Sequence, residues 1–392
     1  MMKKILIIAL CLIPFAAYAE DENASLEKVA FPDGTVVQQT GTVRRYFMKN
    51  GQKWKIADVF TFRELGVPQK MVVKVSQDQL EQIPDGEVLK IAQPKIKGII
   101  DAHEHYRVGG HLKTYFSVSK KLGIEKTVFV PTGSPPNNVG FKENMDELLE
   151  MQKKYPDQII ALCSVNEKDP DAPELFMKCL DEGGKGLKLM VGHPDYYDTP
   201  IDSDIMKQLF QVARERDVPM LLHVSIITAP QTEEEFKRLL REFPDVRVQF
   251  AHYCSSIYGE IHTDKCSAFL DEFPNLYIDL SMGGGIERYH QFMTKDMPKI
   301  KDFVLKYQDR VFFGSDMILA KSGPTTNGKW VRGRMMCDLS LHQNKWYQCP
   351  TVNSKGKYAL LPGFDFSDEV LNKLYIENPR KFYKLDAEEE GS

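Results

Sequence analysis

The chain has 392 residues, of which 51 are Lys or Arg and 55 are Asp or Glu, so its formal net charge is −4. Charges of both signs are spread without long runs of one sign, which gives no reason to expect a nucleic acid or an anionic membrane as a partner. The length suffices for one large core, and α/β barrels commonly use roughly 250 residues as a single domain.

The first nineteen residues have the pattern of a cleavable export signal. Lys3 and Lys4 precede an apolar run from Ile5 to Phe15, and Ala17-Tyr18-Ala19 follows. This run is shorter than the roughly 20 apolar residues that cross a bilayer, so an uncleaved anchor is the weaker alternative. We expect residues 1–19 to be a signal peptide cleaved after Ala19, and the mature protein to be periplasmic or secreted and not bound to a membrane.

Residues 20–96 precede the first repeating unit of the chain. Short β-branched runs, such as Thr35–Val37 and Met71–Val75, lie near turn residues such as Pro32-Asp33-Gly34. This pattern predicts a small β-rich N-terminal extension.

Residues 97–385 repeat a strand-like run followed by a polar, helix-forming segment. Eight such units predict a (β/α)8 TIM barrel of the α/β class. The helical segments Asp204–Arg216 and Thr232–Glu242 each place apolar residues on one stripe. The predicted strands are Ile99–His103, Thr127–Val130, Ile159–Val165, Gly186–Val191, Pro219–Val224, Val246–Ala251, Leu276–Leu280 and Val311–Gly314.

The segment 319–363, after the eighth predicted strand, is rich in Gly, Pro, Lys and Asn. It is too long for an ordinary connection in a barrel, so we expect a long loop that acts as a lid or a binding loop. Phe366–Asn378 then predicts a closing helix capped by Ser367.

Six cysteines follow the export signal, and an even number in an oxidising compartment permits disulfides. We predict one pair, Cys337 with Cys349, which would close a short loop in a polar, irregular stretch. The other four could be paired or could be buried small apolar side chains. They are Cys163, Cys179, Cys254 and Cys266.

The strongest local signal for chemistry is Asp101-Ala102-His103-Glu104-His105 at the end of the first predicted strand. Side chains two apart on a strand point to the same side, so His103 and His105 can both face the barrel mouth. Two imidazoles held in this way can share one divalent metal ion. A single pair of this kind also arises by chance.

Three other strand ends carry residues of metal-binding types. His223 ends the fifth predicted strand, His252 ends the sixth, and Asp316 follows the eighth. The C-terminal ends of barrel strands are where this fold assembles its active sites. Together with the two histidines of the first strand, these residues predict a metal centre at the barrel mouth.

This combination resembles the amidohydrolase superfamily, most closely its amidohydrolase-related (amidohydrolase 2) branch of metal-dependent hydrolases, which also contains decarboxylases and lactone hydrolases. The resemblance runs from about Lys95 to Leu385. Besides the strand-end residues, it rests on Lys185-Gly186-Leu187-Lys188-Leu189, Gly314-Ser315-Asp316 and Glu377-Asn378-Pro379-Arg380-Lys381-Phe382.

The resemblance implies a role for each strand-end residue. His103, His105, His223 and Asp316 would bind a divalent metal, and three nitrogens with one carboxylate suit zinc, although manganese, iron and cobalt stay open. Asp316 would also orient the activated water and carry its proton to the leaving group, with a depressed pKa. His252 would polarise the substrate or complete a second metal site.

Three further residues are candidates near the substrate. Lys188 could be carbamylated and bridge two metals, contact the substrate or a metal ligand, or form a structural ion pair. Arg107 could bind a substrate carboxylate or form a solvated salt bridge. His193 could contact the substrate or lie in a surface loop. The remaining histidines are interpreted as surface or loop residues: His111, His262, His290 and His342.

The sequence therefore predicts an exported enzyme that hydrolyses a small amide, ester or lactone with metal-activated water. Its partner would be a small-molecule substrate, and a homo-oligomer is compatible with the sequence. One alternative is a nonoxidative decarboxylase of an unsaturated or aromatic acid, because that chemistry shares the scaffold and the ligand set. Another is a noncatalytic binding protein that keeps the barrel and the metal. Export favours hydrolysis.

Overall fold

A computed structural model describes most of the chain. It covers residues 29–134, 139–191, 199–224, 226, 230–255, 263–282, 290, 293–349 and 360–386. The predicted signal peptide, His193 and His262 lie outside these residues. Across the described ranges, no helix combines the length and the apolar character that crossing a membrane requires.

The N-terminal extension forms one mixed sheet with the strand order β4-β1-β2-β3-β5. Its strands are β1 (Val36–Gln39), β2 (Arg45–Lys49), β3 (Gln52–Ile56), β4 (Val73–Val75) and β5 (Asp85–Leu89). Neighbouring residues point to opposite faces of this sheet. Val36 packs with Phe47 and Trp54 on one face, whereas Val37 packs with Met48 on the other. The helical segments here are α1 (Val59–Glu64), a 3-10 turn (Gln69–Met71) and α2 (Gln77–Glu81).

The predicted barrel is confirmed, with every strand pair that carries it parallel. The third predicted strand is interrupted at Leu162, and the eighth is only two residues long. The strands are β6 (Ile99–Tyr106), β7 (Ile124–Pro131), β8 (Ile159–Ala161), β9 (Cys163–Ser164), β10 (Leu187–Leu189), β11 (Met220–Leu222), β12 (Val248–Phe250), β13 (Leu276–Asp279), β14 (Val311–Phe312) and β15 (Ile318–Leu319).

The last strand segment returns to the first and closes the barrel. The Ala102 amide donates to the Phe313 carbonyl at 2.9 Å, and the Asp316 amide donates to the His103 carbonyl at 2.8 Å. Gly314 permits this approach, because a Cβ there would lie 3.0 Å from the Cβ of His103. The interior is filled by apolar side chains such as Ile100, Ala102, Val128, Val130, Leu221 and Phe312.

The helices surround the barrel. The two with predicted apolar stripes lie within two residues of their predicted bounds, whereas the closing helix continues beyond Asn378 to Tyr383. Asp204–Glu215 and Pro230–Glu242 bury the stripes that the sequence indicates, including Leu209 and Phe236. Ser367 caps the closing helix, which continues through a π turn (Lys373–Glu377). The helices are α3 (Leu112–Ser119, followed by a 3-10 turn, Lys120–Leu122), α4 (Phe141–Lys154), α5 (Ala172–Asp181), α6 (Asp204–Glu215), α7 (Pro230–Glu242), α8 (Thr263–Glu272), α9 (Met297–Lys306, followed by a 3-10 turn, Gln308–Arg310), α10 (Gly328–Gln343, preceded by a 3-10 turn, Pro324–Thr326), α11 (Asp368–Asn372) and α12 (Asn378–Tyr383).

The described part of segment 319–363 contains regular structure where a long loop was predicted. It contains the sixteen-residue helix α10 and a strand pair, β16 (Trp346–Tyr347) with β17 (Leu361–Pro362). Helix α10 is buried on most sides between Arg334 and His342, including its charged residues. A helix buried all round lacks the amphipathic period, so the sequence pattern could not reveal it.

The prediction of a single disulfide was incomplete. Cys337 and Cys349 are joined as predicted, although Cys337 lies in α10 and not in an irregular stretch. The other four cysteines also form disulfides, Cys163 with Cys179 and Cys254 with Cys266. The sequence left them open because connectivity depends on which strands, turns and helices the fold brings together.

The interpretation of His290 and His342 as surface or loop residues was wrong, since they are 0% and 1% exposed. His111, in contrast, is exposed as expected. Burial lowers the pKa of His342 from 6.5 to about 4. Its neighbours are aromatic, with Phe313 and Phe364 ring centroids at 5.9 and 6.1 Å. A charged imidazolium is poorly solvated in such surroundings.

We expect His342 to make the protein less stable as the pH falls from about 6.5 towards about 4. In this window the unfolded chain binds a proton that folded His342 does not. The free energy of unfolding of the wild type should therefore fall relative to that of His342→Phe, by up to about 1.4 kcal/mol per pH unit. Urea denaturation of chelator-treated protein from pH 7.5 to 5 measures this. His111→Phe is the exposed control, and a pH-independent difference between wild type and His342→Phe would contradict the expectation.

Candidate metal centre

The first strand places its histidines at the barrel mouth through an irregular register. The pairing of β6 with β7 shifts between Asp101 and Glu104. Ala102 belongs to the apolar interior, while His103 and His105 both approach Asp316. Asp101 and Glu104 point to the other side of the strand, where both lie 3.4 Å from the Tyr115 hydroxyl of α3. The structure thus brings the two predicted histidines together on one side of the strand.

Asp316 is the centre of the cluster. One of its carboxylate oxygens, Oδ1, lies 2.9 Å from His105 Nε2 and 3.7 Å from His103 Nε2. The other, Oδ2, lies 3.5 Å from His252 Nδ1. Asp316 has a left-handed backbone (φ 51°), which Asp tolerates better than most residues. This conformation directs the carboxylate from the eighth strand towards the first and sixth.

Each imidazole of the first strand has its inner nitrogen anchored to an oxygen. His103 Nδ1 lies 3.0 Å from Asp279 Oδ2, and His105 Nδ1 contacts the Thr132 hydroxyl. An imidazole whose Nδ1 is held in this way presents Nε2 as the lone-pair nitrogen to a metal. Both Nε2 atoms face Asp316, so the donor set fits a divalent cation.

The described residues contain two groups of three possible metal ligands. In each group the ligand atoms lie within 4.8 Å of one another. One group is His103, His105 and Asp316, and the other is His103, His252 and Asp279. Neither group contains His223. The structure nevertheless brings His223 into the cluster. Its ring is buried, and the ring centroids of His223 and His252 are 4.9 Å apart.

His252 is held in an unusual backbone conformation. The short turn Ala251–Ser255 after β12 is left-handed at His252, Tyr253 and Cys254. Left-handed residues with side chains are disfavoured and are often found at functional sites, where surrounding structure holds them. The His252 amide donates to Asp279 Oδ1 at 2.9 Å, and its Nδ1 lies 3.2 Å from the Ser281 carbonyl oxygen. These contacts fix the ring against that of His103.

Asp279 is a functional residue that the sequence analysis missed. It lies at the end of β13, is fully buried, and contacts both His103 and His252. Gln249 donates to it at 2.7 Å and accepts from the Tyr383 hydroxyl at 2.8 Å. The signal was an acidic residue inside the apolar run Leu276–Leu280, which costs free energy unless the carboxylate is paired.

The pKa values of the cluster reflect burial and mutual interaction. Burial lowers the pKa of His103 and His105, and it lowers that of His252 to about 4. Burial alone would raise the pKa of Asp316, but His252, His103 and His105 outweigh it and hold this pKa well below its usual range. The sequence analysis expected a depressed pKa beside a bound metal ion, and that expectation stays a prediction. Asp316 is ionised and the imidazoles are neutral at neutral pH.

A second pair of acids lies behind the first strand. The Ser315 hydroxyl oxygen lies 2.6 Å from Asp101 Oδ2 and also contacts Glu104 Oε1. Burial raises the pKa of Asp101 to about 7 and that of Glu104 well above its usual value. These acids connect the first strand to the residue that precedes Asp316.

The structure describes two of the three residues that were predicted to lie near the substrate. Lys188 is buried with its Nζ 3.2 Å from His103 Nε2, and burial lowers its pKa to about 8. Arg107 is half-buried beyond His105, with Nη2 3.5 Å from the Gly133 carbonyl oxygen. Arg107 forms no salt bridge within the described ranges, which was one of its two predicted roles. His193 falls outside the described residues, so its role stays a prediction.

A family model described as Amidohydrolase matches residues 101–385, which include every strand-end residue of the cluster. The chain belongs to this amidohydrolase family. It is an enzyme of the amidohydrolase superfamily, which includes both hydrolases and decarboxylases. Comparison with curated protein sequences finds no match.

Solved structures of similar fold include a probable hydrolase and two decarboxylases. A probable 2-pyrone-4,6-dicarboxylic acid hydrolase from Acinetobacter baumannii, with citric acid bound, is 13% identical with a TM-score of 0.50, and the match covers 74% of this chain and 100% of that one. The 2,6-dihydroxybenzoate decarboxylase from Rhizobium is 16% identical with a TM-score of 0.47, covering 74% and 99%. A manganese-containing dihydroxybenzoic acid decarboxylase from Polaromonas is 14% identical with a TM-score of 0.47, covering 74% and 98%. At such identities the similarity concerns the fold.

We expect Asp279→Asn to weaken binding of a divalent metal by about 10- to 100-fold, because the neutral amide no longer fixes the His103 ring. Competition with a chromogenic chelator measures the dissociation constant. The control is Asp264→Asn, since the Asp264 side chain is 88% exposed. Equal affinity in wild type and Asp279→Asn would show that Asp279 does not orient a metal ligand.

Proposed function

We propose that this amidohydrolase is an exported, metal-dependent hydrolase that cleaves a small amide, ester or lactone with activated water. The observation that carries the proposal is the ionised Asp316 carboxylate, buried among His103, His105 and His252 at the barrel mouth. A carboxylate so placed can bind a metal and can also accept a proton from water.

The proposed cofactor is one divalent ion, with zinc suited to the nitrogen-rich donor set. His103, His105 and Asp316 would hold it, with His223 as the fourth protein ligand. A divalent ion bound there supplies Lewis-acid activation of water at neutral pH. The position of Lys188 beside His103 leaves open a second ion with a carbamylated lysine. In the competition titration for Asp279, about one ion per wild-type chain supports the mononuclear site, and two would place Lys188 in the ligand set.

Asp316 would transfer the proton during hydrolysis. Its carboxylate removes one proton from water as the oxygen bonds to the carbonyl carbon of the substrate. The low pKa of Asp316 makes its protonated form a strong acid, which then gives the proton to the departing nitrogen or oxygen. The bond to the leaving group breaks, and the products are an acid and an amine or alcohol, or one ring-opened acid from a lactone.

His252 would assist through its outer ring nitrogen. A carbonyl oxygen can only accept a hydrogen bond, so the contact with Ser281 favours the proton on Nδ1 and a lone pair on Nε2. Burial keeps the ring neutral at pH 7. Neutral His252 is therefore suited to complete a second metal site through its Nε2 lone pair, and less suited to donate a hydrogen bond to the substrate.

Arg107 and Lys188 support a substrate that carries a carboxylate. The Arg107 Nε atom is buried and has no hydrogen-bond partner within the described part of the chain. A buried guanidinium nitrogen without a partner is costly, and a substrate carboxylate would satisfy it. The same cations would serve a carboxylic acid substrate of a nonoxidative decarboxylase, which is the second candidate.

Isotope incorporation separates the two reactions. The wild type should place one oxygen atom from ¹⁸O-labelled water in the organic product of an amide, ester or lactone, as read by mass spectrometry. Release of carbon dioxide from an unsaturated or aromatic acid, without label in the organic product, would identify the decarboxylase. Asp316→Asn should lower kcat by at least about 10²-fold because it removes the proton acceptor. Asp309→Asn, at an exposed site, is the control.

Export is supported by the three disulfides, because such bonds persist in oxidising compartments. Protein recovered from the periplasm or the medium should begin at Glu20, as measured by N-terminal sequencing. A cytoplasmic protein that retains Met1 would contradict the proposal.

A further inference from the structure

Arg334 is a buried cation that the proposed reaction does not use. It lies in α10 and is 1% exposed. Its Nη2 atom donates to the Ser315 carbonyl at 2.7 Å and also to the Met282 carbonyl, while its Nε donates to Asp338 Oδ2 at 3.1 Å. Burying a guanidinium costs free energy unless it is paired and hydrogen-bonded in this way. The guanidinium therefore holds its three acceptors at fixed positions relative to one another.

The two carbonyls belong to the loops that carry the metal centre. Ser315 directly precedes Asp316, and Met282 directly follows Ser281. The Ser281 hydroxyl lies 3.1 Å from His103 Nδ1 and 3.0 Å from His252 Nδ1. One guanidinium thus connects the main chain after the seventh strand with the main chain after the eighth.

The backbone at these loops needs such support. The left-handed conformation of Asp316 costs free energy and persists only where neighbouring structure holds it. Metal sites also need their ligands held within about 0.5 Å of the productive geometry. A planar guanidinium can bond two carbonyls and a carboxylate at fixed relative positions, whereas the single ammonium of lysine cannot reproduce this fork.

Asp338 fixes the guanidinium and links it to a wider network. It lies one turn after Arg334 in α10 and also contacts His290 Nε2 at 3.3 Å. His290 Nδ1 lies 2.5 Å from the Tyr347 hydroxyl in β16. The disulfide between Cys337 and Cys349 joins α10 to the chain that follows β16. The network holds α10, and with it Arg334, at one position against the barrel.

The outer side of α10 and β16 contacts the N-terminal extension. Trp346 of β16 packs edge-on against Trp54 of β3, with ring centroids 5.5 Å apart. Arg332 Nη2 of α10 lies 2.9 Å from Glu64 Oε1 of α1. Helix α10 and strand β16 therefore lie between the N-terminal extension and the loops of the metal centre. These contacts explain why α10, in a segment expected to be a lid or a binding loop, is largely buried.

We propose that Arg334, held by Asp338, is a positioning residue for the metal centre. It fixes the main chain at Ser315 and Met282, so that Asp316, His103 and His252 are aligned before the ion binds. The inference rests on the metal site of the proposed function and is independent of the reaction that the site catalyses.

Metal binding without substrate tests this inference. Arg334→Lys keeps the charge and loses the fork, and Arg334→Met keeps much of the volume and loses every donor. We expect both to weaken zinc binding by about 10- to 100-fold in a chelator competition. The absorption spectrum of the cobalt-loaded protein should also change, because the ligands around the ion move. Arg332→Met, on the same helix but 45% exposed at its side chain, should leave affinity and spectrum unchanged.

The melting temperature of the metal-free variants separates positioning from a general loss of stability. Lower stability with unchanged zinc affinity and cobalt spectrum in Arg334→Lys would overturn the inference. If the Arg334 variants do not fold, Asp338→Asn provides the test: weaker zinc binding with an altered cobalt spectrum supports the inference, and wild-type values overturn it. A wild type that binds no metal would instead overturn the proposed metal site itself.

Discussion

The Asp316 carboxylate, buried among the histidines of the first and sixth strands, is the contact on which the rest of the structure depends. An isolated carboxylate at this depth would be protonated, and isolated imidazoles there lose their charge. Their mutual interaction keeps Asp316 ionised. The contact exists only if the chain after β14 returns to β6, which requires Gly314 and the left-handed Asp316. The same return of the chain to β6 therefore closes the barrel and brings Asp316 to the histidines.

Around this contact, a layer of oxygen atoms sets the direction of each ring. Asp279, Ser281 and Thr132 engage Nδ1 atoms and so leave Nε2 for chemistry. On the far side of the first strand, Ser315 connects Asp101 with Glu104. None of these residues needs to touch a substrate. Their positions nevertheless decide which nitrogen carries a proton, and so which can bind a metal.

Helix α10 shows how segments outside the barrel repeat can serve the site. Its buried face supplies Arg334 and Asp338 to the loops of the metal centre, while its exposed face contacts helix α1 of the N-terminal extension through Arg332. Gly328 and Gly333 lower its intrinsic helix propensity, and its stability must come mainly from packing. This is why composition indicated a loop where the tertiary structure forms a helix.

The sequence by itself determined the barrel, the family and the strand ends at which His103, His105, His223, His252 and Asp316 occur. These features are local, because strand periodicity and residue type are encoded within a few neighbouring positions. Only the tertiary structure decided that Asp279 anchors His103, that His342 and Arg334 are buried, and that the six cysteines from Cys163 to Cys349 are all paired. Such features join residues distant in sequence, and their pairing depends on how closure of the barrel brings the strands and helices together.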